Sequence, residues 1–524
     1  MAGDGFDEAQ RCWLAGDAER VLALTEVRPG RAALSTRVAL LRARALLRLR
    51  RTRESIEVVE SLELARAGAP ERATAAMLVG TAYARGGDVE RGLAVLGEAA
   101  GMAPPDDVAI RSETALGIAL AHYQRRAFGA AARALDDVDP ASGIVYARAL
   151  ECRGWIAKTE NDFAAAVAAF DASLAQAERS AQTDRFLEAN LIATMSYIAV
   201  ELLDLARCEA LLERAQRTSW ESSGLEYYRF WLEMNRSMAD EIAGRPREAL
   251  QAARNAALCA PSGAFRLFAQ CRRAAVLFSY GELLGFEDLA ASISADFATI
   301  DLAVLHEFEE INVPVVVAET LALIGDGERA AAALERLETM SPSQRALLGD
   351  EPMKRAYFAF VEGLVADANN DALRARHRYR EALRSFTAIG MTRRALLAAL
   401  RLHALHADDA LLAFIREQAV ALPAGSWIRD ESARLSAWSS DPLLAQLTRA
   451  EREVLELLYA GKSTTEIAAV RARSAQTIRN IVSKLLRTFA VDNRQALLNA
   501  CARRGAFPPA TSRAPATGSG SAKP

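Results

Sequence analysis

From Asp7 to about Ala421 one pattern recurs: a helical stretch, a punctuation of Gly, Asp or Pro, and a second, often Ala-rich helical stretch. The second members align readily: GGDVERGLAVLGEAA from Gly86, AFGAAARALDDV from Ala127, NDFAAAVAAFDASLA from Asn161, LDLARCEALLERA from Leu203. The series continues as AGRPREALQAARNAA from Ala243, LGFEDLAASIS from Leu284, GDGERAAAALERLE from Gly325 and NNDALRARHRYREAL from Asn369, with a spacing near 40 residues. A helical hairpin of this size cannot bury its own apolar face, so it must stack on its neighbours. Small residues let the paired helices approach closely, and Phe170, Leu212 and Leu334 would fill the space between hairpins. The expectation is a single, quasi-one-dimensional helical core.

The pattern resembles tetratricopeptide repeats, with a period longer than their usual ~34 residues. That resemblance implies a tetratricopeptide-like α-superhelix over residues 1–421, whose concave face would take a peptide, a protein or a small molecule. Tyr227, Tyr228, Phe230, Trp231, Phe265 and Phe268 are candidates for such a face. Aromatic residues at helical spacing more often pack, so core filling is the preferred reading. Pro314, in INVPVVVAETLALIG from Ile311, marks a kinked or late-starting helix.

The last part of the chain is built differently. Between Leu447 and Gly505 two S/T-x-x-E capping boxes stand close together, Thr448 with Glu451 and Ser463 with Glu466, and Ser474 opens a third helix. In that third helix Ile478, Val482, Leu485, Leu486 and Phe489 make an apolar stripe. Gln476, Arg479, Asn480, Ser483, Lys484 and Arg487 make a polar face. Arg can bond a guanine edge bidentately, Asn and Gln can do so to adenine, and Ser and Lys suit phosphates or mixed contacts. A solvated face is the bland alternative; composition, position and the two preceding caps favour a recognition helix.

These motifs, Thr448-x-x-Glu451 with Val454, Leu455, Leu458 and Gly461, then Ser463-x-x-Glu466-Ile467-Ala468, Ser474-x-x-Thr477-Ile478, Val482, Leu486, Val491 and Arg494, resemble the LuxR-type helix-turn-helix domain. The resemblance implies a four-helix DNA-binding domain whose third helix enters the major groove, with Arg479, Asn480 and Ser483 facing bases. Gln476, Thr477, Lys484, Arg487, Ser463, Thr464 and Arg494 complete the expected contacts to double-stranded DNA. It also implies a homodimer through a fourth helix, Asn493 to Arg503, with Ala496, Leu497, Ala500 and Cys501 as its stripe. Three positions depart from the family pattern: Arg471 and Arg473 stand where apolar turn residues are usual, and Ile481 where His is usual. Either Arg could snorkel to a phosphate, or mark a domain whose packing has drifted.

Charge agrees with the DNA reading. Residues 447–505 hold 11 Lys/Arg against 5 Asp/Glu, a net +6; the tail adds +2, so within a chain of net −3 the residues before 447 carry −11. A basic module on an acidic body confines DNA contact to one end. The expected domains are therefore 1–421 repeats, 422–446 a weakly helical junction broken at Ser439-Ser440-Asp441-Pro442, 447–505 the helix-turn-helix, and 506–524 a disordered tail. The fold class is all-α: a tetratricopeptide-like α-superhelix followed by a four-helix LuxR-type helix-turn-helix domain.

Other activities find little support. Gly461-Lys462-Ser463 does not complete a phosphate-binding loop, since Glu456 stands where the first Gly is needed. The six cysteines show no C-x-x-C spacing and read as buried free thiols, and His403 with His406 lacks a third metal ligand. No nucleophile elbow, H-E-x-x-H or dinucleotide fingerprint occurs, so neither enzyme chemistry nor a cofactor is expected. The start MAGDGFDEAQ lacks the features of a signal peptide, and no stretch of about 18 apolar residues occurs; a cytoplasmic protein without membrane contact is expected. The function so indicated is sequence-specific transcription regulation, with a ligand or protein partner sensed by the repeats. A repeat scaffold whose C-terminal domain no longer reads DNA is the alternative, resting on Arg471, Arg473 and Ile481.

Overall fold

The computed structural model describes residues 3–26, 34–49, 51–217, 225–281, 286–305, 312–341, 344, 352–471 and 473–507. Every element among them is helical. The chain divides into two compact units, one of residues 1–236 with 255–266, the other of residues 237–254 with 267–524.

In both units the hairpin turn solves one problem in one way. Helix Ala69–Arg85 ends, Gly87 takes a left-handed φ of 95°, and the Asp88 N–H donates back to the Tyr83 carbonyl at 3.0 Å. The Asp88 carboxylate then accepts the Arg91 N–H and starts helix Val89–Met102. The back bond satisfies a carbonyl orphaned at one helix end, and the carboxylate an amide orphaned at the next helix start. Asp162 and Asp204 repeat the device in the first unit, and Asp326 and Asp371 in the second. This is why the Gly/Asn-Asp pairs recur in the sequence.

Packing inside a hairpin also repeats. Phe170, fully buried, lies so close to Gly154 that a Cβ there would sit 2.5 Å from its ring. Tyr379 covers Gly363 in the same manner at 2.6 Å in the second unit. Leu212 is buried, as a filler should be, whereas Leu334 is only half-buried. Phe230 and Phe265 form an edge-to-face pair at 5.0 Å with Tyr227 and Trp231 around them, and Phe268 is buried too, so these aromatics serve the core. Pro314 sits in the first turn of helix Val313–Leu323, where its missing N–H costs no hydrogen bond; the helix starts late there.

Charged groups inside the repeats are tied to one another. Asp184, buried, accepts two bonds from Arg48 at 2.8 and 2.7 Å and one from Arg148 at 2.7 Å, and caps the Leu187 N–H. Glu241 in the second unit is held by Arg272 and by the Ser279 hydroxyl at 2.5 Å. Cys152, Cys208, Cys271 and Cys501 are buried free thiols, Cys12 and Cys259 partly so. Among the described residues no helix is long and apolar enough to cross a membrane, and no three His, Cys, Asp or Glu side chains gather to hold a metal ion. His403 is buried and its Nδ1 accepts the Asp408 N–H.

Residues 422–446 are more ordered than a weakly helical junction. They contain helix Trp427–Ser440 and the short turn Pro442–Ala445, with Asp441 ending the first and capping the second. Trp438, Leu444 and Leu447 belong to the apolar cluster of the C-terminal domain. The expected disordered tail also needs correction at its start, because Ala506 and Phe507 are buried in that cluster. The Trp438 indole donates to the Ala506 carbonyl at 3.3 Å, and the Phe507 ring stacks on Tyr459 at 4.0 Å. Residues 508–524 lie outside the described residues.

Candidate nucleic-acid interface

Four helices follow Leu447: α1 Arg449–Tyr459, α2 Thr464–Val470, α3 Ala475–Thr488 and α4 Arg494–Arg503. Their starts are fixed by local chemistry. Thr448 and Ser463 make reciprocal capping boxes with Glu451 and Glu466, Ser474 accepts the Thr477 N–H, and Asn493 accepts the Ala496 N–H. Their turns reuse the repeat device: Gly461 and Ala490 take positive φ, and Lys462 and Val491 donate back to Leu457 and Leu486.

The apolar stripe of α3 faces inward. Ile478, Leu485 and Phe489 are buried against Leu455, Leu458, Ile467 and Leu497, and Val482 and Leu486 are partly buried on the same cluster. The polar side stands outward, with Gln476, Thr477, Arg479, Asn480, Ser483, Lys484 and Arg487 all exposed. Arg479 donates twice to Gln476 Oε1, at 3.2 and 3.0 Å, and Gln476 Nε2 donates to Asn480 Oδ1 at 3.0 Å. The three side chains therefore hold one another in an exposed row. Ser463 is exposed at the α2 cap, and Thr464 beside it is half-buried.

Two of the ten expected contact residues, Lys484 and Arg494, are tied to α1. Lys484 Nζ lies 2.5 Å from the buried carboxylate of Glu451, so its charge is shared with α1. The half-buried Arg494 guanidinium donates to the Leu458 carbonyl at 2.5 Å and fastens α4 to α1. Burial works to raise the Glu451 pKa, but Lys484 and Thr448 hold it below the usual carboxylate range.

Residues 445–500 match the family of bacterial regulatory proteins, luxR family, known as GerE. They form a luxR-family domain. No curated protein matches the chain in sequence. Among solved structures, the chain is similar to a Rap protein complexed with competence and sporulation factor, with 12% identity, a TM-score of 0.42, and coverage of 66% of this chain and 99% of that one. It is also similar to the apo form of the quorum sensor NprR from B. thuringiensis, with 12% identity, a TM-score of 0.34, and coverage of 76% and 97%.

The departures from the luxR pattern have local accounts. Arg471 forms an ion pair with Glu453 of α1, so a charged turn residue is compensated inside the domain. Arg473 is exposed, and Ile481 packs as a partly buried apolar residue against the core. Of the stripe expected on α4, Ala496 is half-buried. Leu497, Ala500 and Cys501 are core residues of the luxR-type domain, and α4 presents Gln495, Asn499, Ala502 and Arg503 to solvent. An apolar stripe on a short helix is first claimed by its own domain.

What the sequence reading missed is the N-terminal support of the domain. Arg434, on helix Trp427–Ser440, bonds Glu456 of α1 and Glu431 of its own helix; burial opposes its charge, yet the two carboxylates raise its pKa. Arg452 of α1 lies over the Trp438 ring at 5.2 Å, and Arg504 pairs with Asp441 at 3.4 Å. The only hint in the sequence was a tryptophan shortly before the Asp-Pro pair.

Proposed function

We propose that the chain is a cytoplasmic, sequence-specific transcription regulator in which α3 enters the major groove of double-stranded DNA. The observation that carries this reading is the exposed row Arg479, Gln476 and Asn480, whose side-chain hydrogen bonds, among the described residues, run only among themselves within a luxR-family domain. Such groups exchange their mutual bonds for base edges without uncovering any buried partner. Thr477, Ser483 and Arg487 are exposed on the same helix, Ser463 and Thr464 stand at the start of α2, and Arg473 is an exposed positive charge two residues before α3 begins. Lys484 reaches a phosphate only by leaving Glu451. Arg494 keeps its role inside the domain. The family matched is one of regulatory proteins, not enzymes.

The repeats receive an effector, a peptide, protein or small molecule, and its binding changes the DNA affinity of the luxR-type domain. Coupling of this kind requires that the effector bind the DNA-competent and incompetent forms unequally. Pairing on two half-sites makes a dimer on DNA the expected assembly.

The test is binding of genome fragments by the full-length protein across a salt series, repeated with Arg479→Ala plus Asn480→Ala. The expected result is a discrete motif whose affinity falls steeply with salt and drops at least about tenfold in the double variant. Binding that lacks a motif and ignores the double variant would reduce the domain to a nonspecific basic patch.

A further inference from the structure

The second unit contains a partly open cavity of about 700 Å³ apart from the DNA-reading face, with core residues such as Trp438 and Leu447 in its wall. Its wall is made by the last repeat helices, by helix Trp427–Ser440 and by α1 of the luxR-type domain. A volume of this size fits a small organic molecule.

The wall sorts its charges unevenly. Its glutamates are engaged: Glu241 with Arg272, Glu319 with Tyr357, Glu431 and Glu456 with Arg434, and Glu453 with Arg471; Asp367 is the one further acid of the wall. Two of its cations are not matched in this way. Arg401 lies over the Phe278 ring at 5.6 Å, and Arg452 lies over Trp438 while donating to the Leu447 and Ala445 carbonyls. Among the described residues neither has a carboxylate in salt-bridge reach. Trp427 contributes a further donor, an indole N–H that is buried without an acceptor among the described residues. Phe278, Phe360, Trp427 and Trp438 supply aromatic surface between these polar points.

We propose that this cavity is the effector site and that it takes an organic anion with an aromatic or alkyl body. The carboxylate or sulfonate of the ligand meets an unmatched guanidinium, an oxygen accepts from Trp427, and the body lies on the rings. The site rests on the regulator reading only in being called an effector site. Its coupling route is short: Arg452 and Glu456 of α1 line the cavity, and Glu451 on the same helix holds Lys484 of α3. A ligand that shifts α1 therefore shifts the helix that reads DNA.

The probe is 8-anilino-1-naphthalenesulfonate, an aromatic anion whose fluorescence reports apolar enclosure, titrated against the full-length protein. A competing series of phenylalkyl carboxylates and their uncharged amides follows. Saturable one-to-one binding is expected, displaced by the carboxylates and at least about tenfold less well by the amides. Arg401→Gln and the cavity-filling Ala275→Phe should each weaken binding about tenfold or more, and Trp427→Phe, which keeps a smaller aromatic ring and removes the N–H, about threefold to tenfold. Variants are compared only where thermal unfolding remains cooperative; the mild Trp427→Phe keeps the test open if Ala275→Phe fails to fold. Binding that ignores all three variants, or that does not distinguish acid from amide, overturns the proposal. The same titrations with operator DNA present separate the two readings. Anion binding lost in the variants with DNA affinity unmoved supports the site and sinks the coupling in the regulator reading. An effector that changes DNA affinity equally in wild type and all three variants leaves the regulator intact and overturns this site.

Discussion

Arg48 and Arg148 in the repeats and Arg479 and Arg487 on α3 carry the same guanidinium, yet the first pair ends on one buried carboxylate, Asp184. Among the described residues the second pair's guanidinium groups bond only Gln476 and the Ser483 backbone. An arginine fork closed on a buried acid is a structural tie, and breaking it leaves a charge without compensation. An arginine that rests on an exposed amide keeps its donors for whatever approaches. The two regions thus put one residue type to opposite uses, and the partner decides which.

The sharpest way to break this contrast is Asp184→Ala. It strands Arg48 and Arg148 and uncaps helix Arg185–Glu201 together, so a loss of about 3–5 kcal/mol is expected in urea unfolding. A loss below about 1 kcal/mol would show that these arginines are as free as those on α3. Arg494→Ala asks whether an arginine of the DNA-binding domain can belong to the repeat class. Losing its bond to Leu458 should cost about 1–3 kcal/mol while leaving the DNA affinity of the folded protein within about twofold. A large affinity loss at unchanged stability would return Arg494 to the contact set.

Glu151 extends the contrast to pH. Burial pushes its carboxyl up to about 6, against the bond from Asn190 and the charge of Arg148. Because the folded value lies above the unfolded one, its contribution to stability is complete below about pH 4.5 and is lost as pH rises through 6. Glu151→Gln keeps an oxygen for Asn190 and removes the ionisation. The variant should flatten the stability profile between those values and gain at most about 2 kcal/mol over wild type at pH 7.5, because residual solvent contact of Glu151 discounts the full shift. Parallel profiles for the two proteins would show that Glu151 ionises as freely as a surface acid.

Legibility followed sequence distance. The hairpin period, the Asp caps, the boxes Thr448–Glu451 and Ser463–Glu466 and the two faces of α3 all rest on contacts within a few residues, which periodicity and spacing encode. The α4 stripe was legible as buried but not as buried against what, so a dimer surface was expected where Leu497 and Cys501 fill their own domain. The Trp438 bond to Ala506 spans 68 residues and the Arg48 bond to Asp184 spans 136, and no local pattern announces either. The anion cavity was out of reach for the same reason, since its wall draws on helices from Glu241 to Glu456.

The smallest stability effect belongs to the face with the largest functional one. Arg479→Ala plus Asn480→Ala removes side chains that are exposed and bonded only to Gln476. Exposed pairs of this kind contribute little, because solvent replaces the bonds and ordering them costs side-chain entropy. Alanine also has the higher helix propensity, which offsets part of what is lost. The double variant should therefore unfold within about 0.5 kcal/mol of wild type, measured in the same urea titration as Asp184→Ala. A loss of about 2 kcal/mol or more would mean that the row is a structural network after all. The same substitutions would then weaken DNA binding by disordering α3 rather than by removing base contacts, and calorimetry of the free protein would have to precede any reading of the binding data.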